Sequence, residues 1–322
     1  MANIKDIKEN LIEDIKYNIE EAIEDGKYEK LRNLLKLSLV NVNSFTESLL
    51  NEALRRSVFW HPYEPYVLPN QNRIDTYYNI CKLLIDHGAN VNSIDCKHSD
   101  YPDTCTLEFA AGTYILDFVK LIIKNGANQK SKNKALYRII GYDKPELIDN
   151  SVIVDIAKYL IKHGANPNAV YDNNTCLFMY ARWWDSIELG KLLLDSGADP
   201  NFKSVRSGKS VVEILITYQS NPNLVLPILK MMINKGAIIT DEMFHKLEQK
   251  NKEVADIIKE YYINTKIITH WYMHSKTENK KLPSELIRKL KDYLQFGSRK
   301  INKSRRASRK SRRIKRSRKS KK

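Results

Sequence analysis

Gly208-Lys209-Ser210 has the residue types that close a phosphate-gripping loop, in which backbone N–H groups wrap an anion and the lysine reaches its outer oxygens. Such a loop needs a second glycine five residues earlier, and Lys203 stands there instead. The triplet is therefore read as an ordinary connecting loop. Zinc is the next chemistry to consider. Cys96, His98 and Cys105 lie close in sequence with His87 nearby, but the paired C-x-x-C spacing of common structural sites is missing, so no metal is expected. The four cysteines, Cys81, Cys96, Cys105 and Cys176, are scattered and read as reduced thiols without a structural disulfide. No Cys or His falls where a nucleophile and its base can be placed together. No catalytic residue and no cofactor is assigned, and an enzyme is not expected.

The remaining groups suit binding. The segment from Val58 to Asp75 joins Phe59, Trp60, Tyr63 and Tyr66 to three prolines and cannot continue a helix. Prolines lower the entropy cost of presenting aromatics, so Trp60, Tyr63 and Tyr66 are candidate partner contacts. The alternative is that they fold back over neighbouring apolar surface. At the other end, Ser298 to Lys322 holds fifteen Lys or Arg and no acid, which accounts for nearly all of the net charge of +16 and leaves +1 for residues 1–297. This tail has too few apolar residues to fold and is expected to be disordered. It reads as a nuclear-import signal, as a nonspecific clamp on nucleic-acid phosphates whose grip weakens with salt, or as a solubilising tail. No aromatics are interleaved, so base stacking is not expected. Arg305-Arg306-Ala307-Ser308 looks like a basophilic kinase site, and each phosphate there would remove up to about two charges.

The elements that must position these residues repeat. One phrase recurs as CKLLIDHGANVN from Cys81, VKLIIKNGANQK from Val119, AKYLIKHGANPN from Ala157, GKLLLDSGADPN from Gly190 and LKMMINKGAIIT from Leu229. Its glycines, Gly88, Gly126, Gly164, Gly197 and Gly236, are 38, 38, 33 and 39 residues apart, a period that means a repeated supersecondary unit. Apolar residues ahead of each Gly bury a helix, the Gly ends it in a left-handed conformation, and the Ala-Asn or Ala-Asp pair suits a tight turn. A second motif follows each loop: TCTLEFAAG from Thr104, NNTCLFMYA from Asn173 and SGKSVVEIL from Ser207, with Thr104, Thr175 and Ser210 as predicted helix starts. The unit is helix, turn, helix, loop. Weaker copies at Leu31–Asn43, with Leu39 in place of the Gly, and at Val254–Tyr261 read as end caps, giving about seven units between residues 10 and 262.

These motifs resemble the ankyrin repeat, whose pattern has a Thr-Pro-Leu-His start, an Ala-Ala pair, a Val-x-Leu-Leu-Leu helix and a Gly-Ala-Asp-x-Asn end. Pro is missing from every helix start here, and only Thr104 to Gly126 and Thr175 to Gly197 approach the family's length. The resemblance implies an all-α solenoid. The expected divisions are a degenerate cap at 1–43, a repeat array at 44–262, a C-terminal helix at 263–297 and the basic tail at 298–322. It also implies a scaffold that binds host or viral proteins on the face made by loop tips and the exposed side of each first helix. Asp103, Phe109, Tyr114, Arg138, Asn173, Met179, Trp184 and Ile214 map onto that face as partner-binding candidates. Diverged copies in a chain rich in Asn, Lys, Ile and Tyr are similar to the ankyrin proteins multiplied in giant DNA viruses of amoebae.

The segment LPSELIRKLKDYLQF from Leu282 is an amphipathic helix. It resembles the opening helix of the F-box in Leu282, Pro283, Glu285, Leu286, Ile287, Tyr293 and Leu294, with Leu290 on the same apolar face. That resemblance implies a cullin-ligase component as partner; the alternative is a cap on the last repeat. No run of eighteen apolar residues occurs, and the N-terminus mixes Lys, Asp and Glu. A soluble intracellular monomer of cytoplasm or nucleus is expected, with the tail able to direct nuclear import.

Overall fold

The computed structural model describes residues 4–37, 39–45, 48–58, 69–95, 104–141 and 145–278. The candidates Trp60, Tyr63, Tyr66 and Asp103, with Cys96, His98, the F-box-like helix and the basic tail, lie outside the described residues.

Helix ends explain the architecture. In the helix Asn150–Lys162, the Asp149 carboxylate accepts from the Ser151 N–H and so caps the start. Ile153, Ile156, Ala157 and Leu160 recur at helical spacing and are buried. The helix stops because Gly164 takes a φ of 96°, and the N–H groups of Gly164 and Ala165 donate back to the Ile161 and Leu160 carbonyls. Gly88, Gly126, Gly197 and Gly236 repeat this ending with φ between 85° and 95°. All five predicted glycines therefore terminate helices.

Among the described residues there are fourteen helices, the first twelve of which pack as consecutive pairs. They are α1 (Ile4–Glu24) with α2 (Tyr28–Lys36), α3 (Leu49–Ser57) with α4 (Gln71–Asp86), and α5 (Thr106–Gly112) with α6 (Leu116–Lys124). Then come α7 (Gln129–Gly141) with α8 (Asn150–Lys162), α9 (Cys176–Trp183) with α10 (Ile187–Asp195), and α11 (Val211–Tyr218) with α12 (Pro222–Asn234). The last are α13 (Asp241–Lys250) and α14 (Lys252–Glu278). From α1 to α13 each odd-numbered helix packs on the next odd one, and from α2 to α12 each even on the next even. The result is two stacked helical layers. The core lies between and along them, with Phe118, Tyr180, Ile80, Leu107, Ile122 and Leu136 among its fully buried side chains.

The cap at the N-terminus is a complete helix pair. Leu31 and Leu35 bury α2, while Leu39, standing in place of the glycine, is exposed in the following loop. At the other end α14 runs to Glu278, so the expected boundary at residue 262 falls inside a helix. Neither Gly nor Pro stands near that position to stop it. Contacts divide the chain into two units, Met1–Lys259 and Glu260–Lys322.

Thr175 and Ser210 cap α9 and α11 as expected, their hydroxyls accepting from the N–H groups of Phe178 and Glu213. Thr104 does not cap α5. It belongs to a short strand, β2 (Thr104–Cys105), paired antiparallel with β1 (Ile94–Asp95), and this moves the cap to Cys105. The Glu108 carboxylate then accepts from the Cys105 N–H at 2.8 Å.

Adjacent repeats are joined by an asparagine ladder. Asn92 Nδ2 donates to the Gly126 carbonyl, and its Oδ1 accepts from the Asn128 N–H. Asn43, Asn168 and Asn201 do the same to the glycines 88, 197 and 236 and to the N–H groups of Asn90, Asp199 and Ile238. Lys130 occupies this position in the third copy, and the two bonds pass to Gln129, which donates to the Gly164 carbonyl, and Asn133, which accepts from Asn166.

Candidate functional site

Four residues beyond the caps Ser48, Cys105, Thr175 and Ser210 stand Glu52, Phe109, Met179 and Ile214, so equal spacing from the cap sets them on equivalent turns of the first helices α3, α5, α9 and α11. Phe109, Met179 and Arg138 are half-buried, and Arg55 of the preceding repeat holds its guanidinium 5.9 Å from the Phe109 ring. Arg138 lies beside Gly112 of α5, its Nε 3.9 Å from where a Cβ would stand, an ordinary contact distance. These three candidates form a track.

Three of the other candidates sit differently. Ile214 is only 3% exposed and packs inside the stack, because the α11 segment VVEILITY is apolar on nearly every side. Trp184 is 4% exposed, and its indole N–H donates to the Ile140 carbonyl at the end of α7, at 2.7 Å. It is an interrepeat lock rather than an outward anchor. Its neighbour Trp183 is 51% exposed. Tyr114 lies past the end of α5, in the turn to α6, with a left-handed φ of 57°. Asn173 is exposed at a loop tip, where Asp172 and Asn173 both take positive φ between the bridged residues Tyr171 and Asn174. That is the two-residue hairpin turn that short polar residues favour.

The hairpin loop ending at Asn174, its neighbour from Phe202 to Ser210, and the helices α7, α9 and α11 enclose a groove of about 640 Å³. Tyr137, Phe178, Met179 and Tyr218 supply its apolar lining. Arg182, Arg206 and Lys209 bring positive charge, against Asp172. Arg182 is held between aromatic faces, its guanidinium carbon 4.7 Å from the Trp183 ring centroid and 5.2 Å from that of Tyr218. Sequence reasoning named Met179 but missed Arg182, although the signal was there: Arg182 is seven residues past its cap, as Arg55 is past Ser48.

Lys203, Gly208, His87 and the described cysteines stand in loops, at a helix end and in the core. Gly208 has a φ of 66° in the second hairpin loop, and Lys203 bridges to Ser210. His87 ends α4 with Nδ1 2.9 Å from the Leu83 carbonyl. Burial pushes the Cys105 thiol up to about 11 and that of Cys176 up to about 12, with Cys81 raised further. Such thiols are poor nucleophiles and poor metal ligands at neutral pH. Among the described residues no three His, Cys, Asp or Glu groups come together as a metal site, and no helix is long and apolar enough to cross a membrane.

Residues 107–204 match the family model described as ankyrin repeats, three copies. The stacked helix pairs, glycine endings and hairpin loops extend the same unit on both sides of that stretch. This is an ankyrin-repeat fold. The ankyrin repeat domain of Bcl-3, described as a unique member of the IkappaB protein family, is similar at TM-score 0.51 and 17% identity, covering 75% of this chain and 97% of that one. The human ASB11 ankyrin repeat domain matches at TM-score 0.37 and 20% identity, over 69% of this chain and 99% of that one. No curated protein matches the chain. The family model and the likeness to the Bcl-3 domain reach the ankyrin fold and do not point to one viral branch of it.

Proposed function

We propose that this ankyrin chain is a non-enzymatic scaffold that binds another protein along the face formed by its first helices and the hairpin loops beside them. The supporting observation is the track of Phe109, Arg138 and Met179, large side chains left half-buried on three consecutive first helices. Phe109 loses little entropy on contact, Arg is enriched among interface anchors, and the flexible Met179 adapts its shape to an apolar partner surface. A stack of helix pairs also supplies a broad surface rather than a reaction centre.

The test is affinity purification of the full chain from eukaryotic cell extract, beside Phe109→Asp/Met179→Asp and a control pair on second helices, Lys158→Glu/Lys191→Glu. Partners lost with the first pair and kept with the control support the reading. Partners retained equally by both variants would remove the track from the interface. The same purification addresses the other expected partner: cullin-ligase components that vanish on Leu286→Asp/Leu290→Asp would make the chain an adaptor.

A further inference from the structure

We infer that the groove between the hairpin loops and α7, α9 and α11 takes an acidic segment of another protein, with an apolar or aromatic side chain set among its carboxylates. The inference rests on the scaffold reading and names the chemistry of one stretch of its face.

Charge is the first argument. Arg182, Arg206 and Lys209 line the groove and Asp172 is the one acid among its lining residues. Arg206 and Lys209 are exposed, and among the described residues neither side chain is taken up by an ion pair. A guanidinium receives a carboxylate on two parallel N–H groups, which fixes the ligand's orientation as well as its charge. Arg182 is pre-set for this by the rings of Trp183 and Tyr218, so little rotamer freedom remains to be lost.

Unmet hydrogen-bonding capacity is the second. Arg182 and Asn174 both line this groove, and their Nε and Oδ1 atoms are shielded from water with no hydrogen-bond partner among the described residues. One is a donor and the other an acceptor. Both atoms are closed to solvent as the side chains stand, so a ligand reaches them only when Arg182 and Asn174 shift; a carboxylate then meets the first and a peptide N–H the second. The apolar side chain of the ligand finds Tyr137, Met179 and Tyr218.

The chain's own C-terminal segment is excluded as occupant by sign, since fifteen cations would face three. Nucleic acid is disfavoured for the opposite reason. A phosphate backbone is held by counterion release from many cations, and the tail outnumbers the groove as an attractor.

The probe is a fluorescein-labelled heptapeptide, Glu-Glu-Asp-Phe-Asp-Glu-Glu, titrated against the full chain by fluorescence anisotropy. A matched peptide with Gln and Asn for the acids and a labelled oligothymidine run alongside. Arg206→Glu/Lys209→Glu changes exposed residues and should weaken the acidic peptide at least tenfold. Lys158→Glu/Lys191→Glu, with the same change in net charge on α8 and α10, should leave it within twofold. A photo-crosslinking phenylalanine analogue at Met179 should attach to the acidic peptide. Equal weakening by the two charge reversals, or no crosslink at Met179, would overturn the inference by showing that the tail or the overall charge holds the peptide. Oligothymidine that binds more tightly and is lost with the groove variant would overturn it in favour of nucleic acid. Should the groove variant still recover the same protein partners from extract, this inference fails while the scaffold reading stands; failure to recover any partner with the unaltered chain sinks the scaffold reading itself.

Discussion

At the scale of single residues, Tyr180 and Gly190 form a size-matched pair that neither repeat motif advertises. Tyr180 is fully buried where Ala110 and Leu215 stand in the neighbouring units, and its hydroxyl donates to the Ser186 carbonyl at 3.0 Å. Gly190 stands where Cys81, Val119, Ala157 and Leu229 stand in the other copies. A Cβ added there would lie 2.5 Å from the Tyr180 ring carbon and hydroxyl and 2.7 Å from Ile228. Gly190→Ala should therefore destabilise by about 1–3 kcal/mol despite its better helix propensity. Tyr180→Leu should recover part of that loss in the double variant, a coupling measurable by urea denaturation of the four members of the cycle. Additive losses would mean that the two residues do not share the space.

The buried thiols give a second prediction at this scale. Burial raises Cys81, Cys105 and Cys176 above the ordinary thiol value of 9.0. The folded chain therefore holds these protons more tightly than the unfolded one. Their contribution is intact below about pH 9 and is lost as pH rises beyond it, by up to about 1.4 kcal/mol per thiol for each pH unit until the folded value is reached. Urea midpoints at pH 8, 9 and 10 should fall more steeply for the unaltered chain than for Cys81→Ala/Cys176→Val. Parallel slopes would refute the assignment.

At the scale of elements, the helix ends were plain in the sequence because left-handed backbone selects glycine, and all five copies of the phrase carry it. The start of α5 was misread because cap position depends on what precedes it. The pairing of Ile94–Asp95 with Thr104–Cys105 draws Thr104 into a strand, a nonlocal contact that no local motif announces. The outward face was legible only in part, since cap spacing sets Phe109 and Met179 at half-buried positions but cannot tell that α11 is buried nearly all round. Trp184 was misplaced for a similar reason, its indole partner being a carbonyl 44 residues away. The asparagine ladder was visible as the second Asn of the repeated ending, but its meaning needs the neighbouring unit. Asn168→Ala removes bonds to the Gly197 carbonyl and the Asp199 N–H, both exposed, and should cost about 1–2 kcal/mol. Asn173→Gly, five residues on at an exposed tip where glycine takes the positive φ without strain, should cost less than half as much. Thermal denaturation of both variants checks the order, and a larger loss at Asn173 would count against the ladder.

At the scale of the whole array from Met1 to Lys259, stability has to be a sum of unit and neighbour terms, because the odd helices from α1 to α13 and the even helices from α2 to α12 each pack on the next of their own layer. Interior units have two neighbours and terminal ones have one. The N-terminal unit also lacks a glycine ending on α2, whose last residue is followed by Leu37 in a right-handed helical conformation. Opening an end sacrifices one interface, whereas opening α8 or α10 sacrifices two, so local unfolding should begin at the termini. Hydrogen exchange read by mass spectrometry should find the amides of α8 and α10 slowest and those of α1 and α2 faster by at least tenfold. The ladder sharpens the expectation, since Asn168 and Asn201 tie consecutive units directly while the third copy relies on Gln129 and Asn133. Gln129→Ala should therefore speed exchange in α7 and α8, whose ends that bond ties together, more than in α9 to α12. Uniform protection along the array, unchanged by that substitution, would mean that the repeats open as one cooperative block and that nearest-neighbour addition does not govern this chain.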